Sequence, residues 1–138
     1  MDAALKRMVK SRAGHCCEYC RMPSSVSLTP FQIDHIIAKK HGGTAAAENL
    51  AFCCFHCNIY KGPNIAGIDV QTGSVISLFN PRNDRWRDHF ELRSDGYIVG
   101  RTQIGNVTAL VLNMNDPDAI TLRACLLTEG QMKADTLE

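Results

Sequence analysis

Four cysteines form two pairs with C-x2-C spacing, Cys17/Cys20 and Cys54/Cys57. Two such knuckles can set four thiolates at the corners of a tetrahedron around Zn2+. Four sulfurs close the coordination shell and leave no place for water, so an ion held there is structural and any catalysis lies elsewhere. Cys16 and Cys53 each stand one place before a pair and read as bystanders, although a register swap with either stays open. The 33 residues between the knuckles require a structural unit of their own. That unit holds Asp34 beside His35, and then Asn49; Asn58 directly follows the second knuckle, with Lys61 a turn later. An imidazole of near-neutral pKa can take a proton from water. A carboxylate and an amide oxygen are hard donors suited to Mg2+ or Mn2+. An ion so held over a phosphodiester can stabilise both the charge on phosphorus and the departing oxyanion.

The elements must bring these groups together. Residues 2–13 carry Leu5, Met8 and Val9 on one stripe among basic residues and read as a helix stopped by Gly14. Residues 26–37 read as strands broken near Pro30. Neighbours on a strand face opposite ways, so Asp34 and His35 can meet one substrate only where the strand ends or twists. Gly42-Gly43 give room for that turn, and about one helical turn follows. A short helix over residues 54–61 ends at Gly62-Pro63. At 100° per residue, Cys57 lies about −60° from Cys54, Asn58 about +40° and Lys61 about −20°, whereas His56 lies about 200° round and is directed away. Beyond it, hairpins are expected around Thr72-Gly73 and Asp95-Gly96. A helix capped by Asn106 or Thr108 should run to Met114. A second, capped by Asp116 with Pro117 at its first position, should run to about Thr128 with Gly130 past its end. With no βαβ alternation, the fold class is α+β.

At 138 residues and 45% hydrophobic content the chain suits a single domain with a modest core. No apolar run approaches the ~20 residues of a membrane span, and the first 20 residues lack a signal-type apolar segment, so the expected compartment is the cytoplasm. There, seven cysteines argue for metal rather than a disulfide framework. Neither pair sits in the βαβ setting of a redox C-x-x-C. Net charge is only +1, but residues 1–62 hold eight Lys/Arg against four Asp/Glu, and residues 63–138 hold seven against ten. The basic excess therefore lies with the unusual motifs.

Taken in order, Cys17, Cys20, Asp34-His35, Gly42-Gly43, Asn49, Cys54, Cys57-Asn58 and Lys61 resemble the HNH endonucleases, in the branch whose ββα-metal core is braced by a four-cysteine zinc site. The resemblance covers about residues 15–62, with residues 63–138 as a hairpin and helix extension. It implies a metal-dependent hydrolase of DNA phosphodiesters that leaves the attacking oxygen on the 5′ phosphate. By the same resemblance His35 is the general base, Asp34 and Asn58 hold the catalytic Mg2+ or Mn2+, and Asn49 orients the loop that carries His35. Asn58 stands where the motif's final His often does, which removes a nitrogen ligand and favours a hard ion. Lys39, Lys40 and Lys61 are the expected nucleic-acid contacts, with Lys61 serving equally well as a solvated helix-end cation.

Other residues read more than one way. Arg82, Arg85 and Arg87 around Trp86 suit phosphate contact and base stacking. They suit equally a core role for Trp86 and Phe90 with arginines on the rim. Cys125 reads as a core residue, and His15, His41 and His89 as surface. The alternative to an enzyme is a non-catalytic zinc module that binds nucleic acid or protein.

Overall fold

In the computed structural model, which describes residues 1–134, the chain opens with α1, Ala3–Arg12. Asp2 caps it, its carboxylate accepting from Leu5 N at 2.7 Å. Val9 is buried against Leu50 and Phe52, and the Arg12 guanidinium donates to the carbonyls of Ala47 (3.1 Å) and Leu50 (2.8 Å). These contacts lay α1 along β2, Leu50–Cys53, which pairs antiparallel with β1, Gln32–His35. The register sets Gln32 opposite Cys53 and His35 opposite Leu50. α2, Phe55–Lys61, follows β2 after a single residue, Cys54.

Only the second half of the expected strand region is a strand. Ser24–Val26 forms a 3-10 turn, and the Ser27 hydroxyl bonds both the carbonyl and the amide of Thr29. This local hydroxyl turn, followed by Pro30 with no N–H to give, removes the donors a ladder needs.

Two further antiparallel hairpins follow: β3, Ala66–Ile68, with β4, Val75–Ser77, and β5, Phe90–Leu92, with β6, Ile98–Gly100. The second turns through Gly96 at φ +89°, where a Cβ would overlap the carbonyl of Ile120. A short α3, Trp86–His89, runs directly into β5. α4 spans Gln103–Val111 and starts earlier than the sequence suggests, because Thr102 is its cap, with Oγ1 accepting from Gly105 N at 3.0 Å. Thr108 is fully buried and uses its hydroxyl to accept from Phe79 N at 2.8 Å. α5, Pro117–Thr128, is capped by Asp116 as its sequence predicts.

A main core joins the two knuckles to the extension: Cys17, Tyr19, Cys20, Cys54 and Cys57 pack in one cluster with Phe79, Trp86, Phe90, Ile98, Leu112 and Leu126. Each fully buried large apolar side chain contributes about 1.5–3 kcal/mol. Trp86 therefore takes the core role. It is 8% exposed, donates Nε1–H to the Tyr19 carbonyl at 2.8 Å, packs 5.0 Å from the Phe90 ring and carries the Arg21 guanidinium 4.2 Å over its face. Arg82 pairs with Glu18, while Arg85 and Arg87 remain exposed. Cys125 is exposed and not a core residue: α5 turns Arg123 and Leu126 inward, and a residue two places from Arg123 lies about 200° round the helix. Among the described residues, no helix is long and apolar enough to cross a membrane.

Candidate functional site

Each knuckle is built in the same way. Cys17 and Cys20 sit on the turn after α1, where the Cys20 amide donates to Cys17 Sγ at 3.5 Å and Arg21, at φ 69°, turns the chain back. Cys54 is the cap of α2, and its Sγ accepts from Cys57 N at 3.3 Å. The four sulfurs lie within 4.8 Å of one another and all four residues are buried. Cys20 Sγ and Cys54 Sγ are 3.7 Å apart. A tetrahedron with 2.3 Å metal–sulfur bonds has sulfur separations of about 3.8 Å, so the donor set fits a zinc ion. Cys16 is half-buried and Cys53 Sγ lies 3.4 Å from the Cys54 carbonyl; neither belongs to the clustered set, which is Cys17, Cys20, Cys54 and Cys57.

The thiols themselves call for a cation. Burial opposes ionisation of Cys17, yet hydrogen bonds from Cys20, Cys53, Cys54 and Cys57 hold its pKa well below the usual thiol value. Cys20 and Cys57 are pushed well above it, first by their hydrogen bonds to Cys17. Four sulfurs buried this close together can all carry charge only with a bound cation between them. One further cation is already close. Arg123 on α5 is 1% exposed and shares a cavity of about 380 Å3 with Cys20 and Cys54. It donates to the carbonyls of Gly96 (2.7 Å) and Met114 (2.6 Å) and to Asn115 Oδ1 (3.4 Å), with no carboxylate at ion-pair distance among the described residues. His56 turns away from the sulfurs as the helix geometry requires, its Nε2 lying 2.8 Å from the Asn113 carbonyl.

The acid and the base leave β1 on opposite sides. Gln32 and Asp34 share one face, and α2 meets it: Asn58 Nδ2 lies 3.5 Å from Gln32 Oε1, and the Lys61 ammonium lies 3.0 Å from Asp34 Oδ2. Tyr19 OH donates to the same oxygen at 2.8 Å. Lys61 also reaches Asp34 Oδ1 (3.3 Å) and the carbonyls of His35 (3.3 Å) and Ile36 (3.1 Å). Asp34 is 6% exposed and Lys61 1%. Lys61, expected as a nucleic-acid contact or a solvated cation, instead turns its ammonium inward from α2 to a buried carboxylate. Burial raises the Asp34 pKa, with Lys61 and the Tyr19 hydroxyl offsetting part of the rise. The Tyr19 phenol is pushed well up, first by burial and then by Asp34, so it stays a donor.

His35 ends the strand. It is half-buried, and its Nε2 is enclosed with no hydrogen-bond partner among the described residues. The loop that follows is held by Asn49, whose Nδ2 donates to the carbonyls of Ile37 (3.0 Å) and Thr44 (2.7 Å) while Oδ1 accepts from Ile37 N (2.9 Å). Gly43 closes the loop where a Cβ would overlap the Ile37 carbonyl. Asn49→Asp keeps the acceptor but turns the two-donor end into an acceptor facing two carbonyls. It should cost about 2 kcal/mol, read as a lower urea midpoint. Lys39 and Lys40 stand exposed on the 3-10 turn Lys39–His41 of this loop.

An antiparallel hairpin, the helix behind it and a four-cysteine cluster at their base define an HNH-type α+β fold. Residues 17–64, which hold all three, match the family model described as HNH endonuclease. No curated protein and no solved structure matches the chain.

Proposed function

We propose that this protein is a nuclease that hydrolyses DNA phosphodiester bonds, with His35 as the general base. The observation that carries the reading is His35 itself. It stands at the end of a strand inside the segment that matches the HNH model, and its Nε2 is a buried nitrogen without a partner among the described residues. Buried polar atoms are nearly always satisfied, so an open one marks a place for a water or a phosphate oxygen. A positioned imidazole there takes the proton of the attacking water. Asn49 fixes the loop that carries the ring, and Lys39 and Lys40 offer exposed cations for the phosphate backbone. The four cysteines hold zinc as a brace: a closed sulfur shell joins the turn after α1 to α2 and keeps both knuckles beneath the hairpin.

Asp34 and Asn58 are of the right type for Mg2+ or Mn2+. As they stand, however, they do not form an open site, because the Asp34 carboxylate is already taken by Lys61 and Tyr19. That filled carboxylate favours the second reading, a zinc module that binds nucleic acid without cutting it.

Nicking of supercoiled plasmid by zinc-loaded protein in Mg2+ or Mn2+ separates the two. His35→Ala should lower the rate about 10^2-fold or more, with circular dichroism and zinc content unchanged. Equal nicking by both proteins refutes the assignment of the base. Binding of DNA with no nicking by the wild type favours the module.

A further inference from the structure

We propose that Lys61 is the resident counter-ion of Asp34, and that a divalent cation reaches this carboxylate only by displacing the ammonium. The inference rests on the nuclease reading for its choice of divalent cation; its geometry stands apart from that reading.

The Lys61 ammonium has three N–H donors, and every acceptor it meets belongs to residues 34–36: both Asp34 oxygens and the carbonyls of His35 and Ile36, at 3.0–3.3 Å. Asp34 Oδ2 also takes the Tyr19 hydroxyl. The pair is closed to solvent on both sides. A hard divalent ion binds a carboxylate oxygen at about 2.0–2.6 Å, which is inside the space the ammonium now shares with it. Two cations on one buried carboxylate repel strongly where the surroundings screen poorly. Occupancy is therefore exclusive.

α2 supplies both alternatives. Asn58 lies one turn before Lys61 and faces Gln32, which shares the Asp34 side of β1. Asp34 and Asn58 are the residues that would hold the ion, with Lys61 one turn beyond Asn58 on the same helix. The ammonium has somewhere to go. Lys61 lines a cleft of about 360 Å3 whose walls include Asn64, Asn80, Asn83 and Asp84. Rotation of a flexible side chain into that cleft exchanges one set of oxygen acceptors for another. It also breaks the bonds to the His35 and Ile36 carbonyls, so metal loading loosens the end of the strand that carries the proposed base.

The test is Mn2+ binding to zinc-loaded protein, followed by the electron paramagnetic resonance of free Mn2+, with no DNA present. Lys61→Met should bind Mn2+ at least tenfold more tightly than wild type, and adding Asp34→Asn should abolish the gain. Unchanged or weaker binding by a folded Lys61→Met protein overturns the proposal, as does failure of both proteins to bind. If Lys61→Met does not fold, wild type decides. The protected Lys61 ammonium resonance should be lost to solvent exchange as Mg2+ is titrated, and its persistence at saturating Mg2+ overturns the exclusivity. Because cleavage is not read, this result is independent of the His35→Ala assay.

Discussion

Stripping the metal from the purified, reduced protein should unfold it, not merely inactivate it. The four candidate ligands are not an appendage: they pack with Tyr19, Phe79, Trp86 and Phe90 in the main core. Zinc bound to such thiolate sites contributes about 10–16 kcal/mol at neutral pH in small zinc domains. The whole stability of a native domain is only about 5–15 kcal/mol. Without the ion, the protein must either bury several thiols against one another or charge them without compensation, and neither offsets that loss. A strong chelator should therefore release about one equivalent of zinc per chain and abolish near-ultraviolet circular dichroism in the same step. Cys57→Ser should give the same outcome without chelator. Cys125→Ser, at an exposed position, should leave both readouts at wild-type values. Native dichroism in fully zinc-free protein would falsify the brace, and would point to a core that holds four thiols without a metal.

Local chemistry was readable from the sequence where one short segment contains both halves of an interaction. The C-x2-C pairs could be read because the amide-to-sulfur bonds of each knuckle span three residues. The start of α5 could be read because Asp116 caps its own next turn. The acid and the base on opposite strand faces follow from alternation along β1, in which Asp34 is buried and His35 half-buried. What could not be read was the fate of long cations. Lys61 meets acceptors 25–27 residues away, and whether a helix-end lysine reaches water or a buried carboxylate depends on what packs over it. Trp86 offered two equal readings for the same reason. Its choice of core over surface rests on Tyr19, 67 residues earlier. The start of α4 lies earlier than cap types alone suggest: Thr108, a sound cap by type, is occupied with Phe79, while the Thr102 hydroxyl, two turns earlier, accepts from Gly105 N and also meets His89 Nδ1. Arg123 is the signal that the sequence does carry: its i, i+3 relation to Leu126 places a charge on the apolar face of α5, and a charge so placed calls for a buried partner.

Arg123 lines one cavity with Cys20 and Cys54, and Arg123→Met should show a charged zinc–thiolate cluster to be its partner. A zinc ion with four thiolates carries a formal double negative charge. Such a charge, buried, is costly unless it is compensated. The Arg123 guanidinium is buried in a cavity it lines with Cys20 and Cys54, and among the described residues its hydrogen-bond acceptors are neutral. Burial pulls its pKa down, and Cys20, Cys57, Cys54 and Cys17 pull it up. Removing one member of a buried charge pair costs about 3–5 kcal/mol, because the other is left uncompensated. The Gly96 and Met114 carbonyls, now bonded at 2.7 and 2.6 Å, would also lose their donor. Urea unfolding followed by Trp86, the lone tryptophan of the chain, should shift by an amount in that range. Competition with a chromophoric chelator should show weaker zinc binding at the same time. Arg123→Lys separates the two contributions: it keeps the charge but not the planar fork that spans both carbonyls. It should hold zinc nearly as tightly as wild type while losing part of the urea midpoint. If Arg123→Met lowers the midpoint and leaves zinc affinity untouched, the guanidinium only ties the β5–β6 turn to α5. A fall in both, with Lys rescuing the metal alone, makes residues 63–138 part of the zinc site and explains why the extension shares a core with the knuckles.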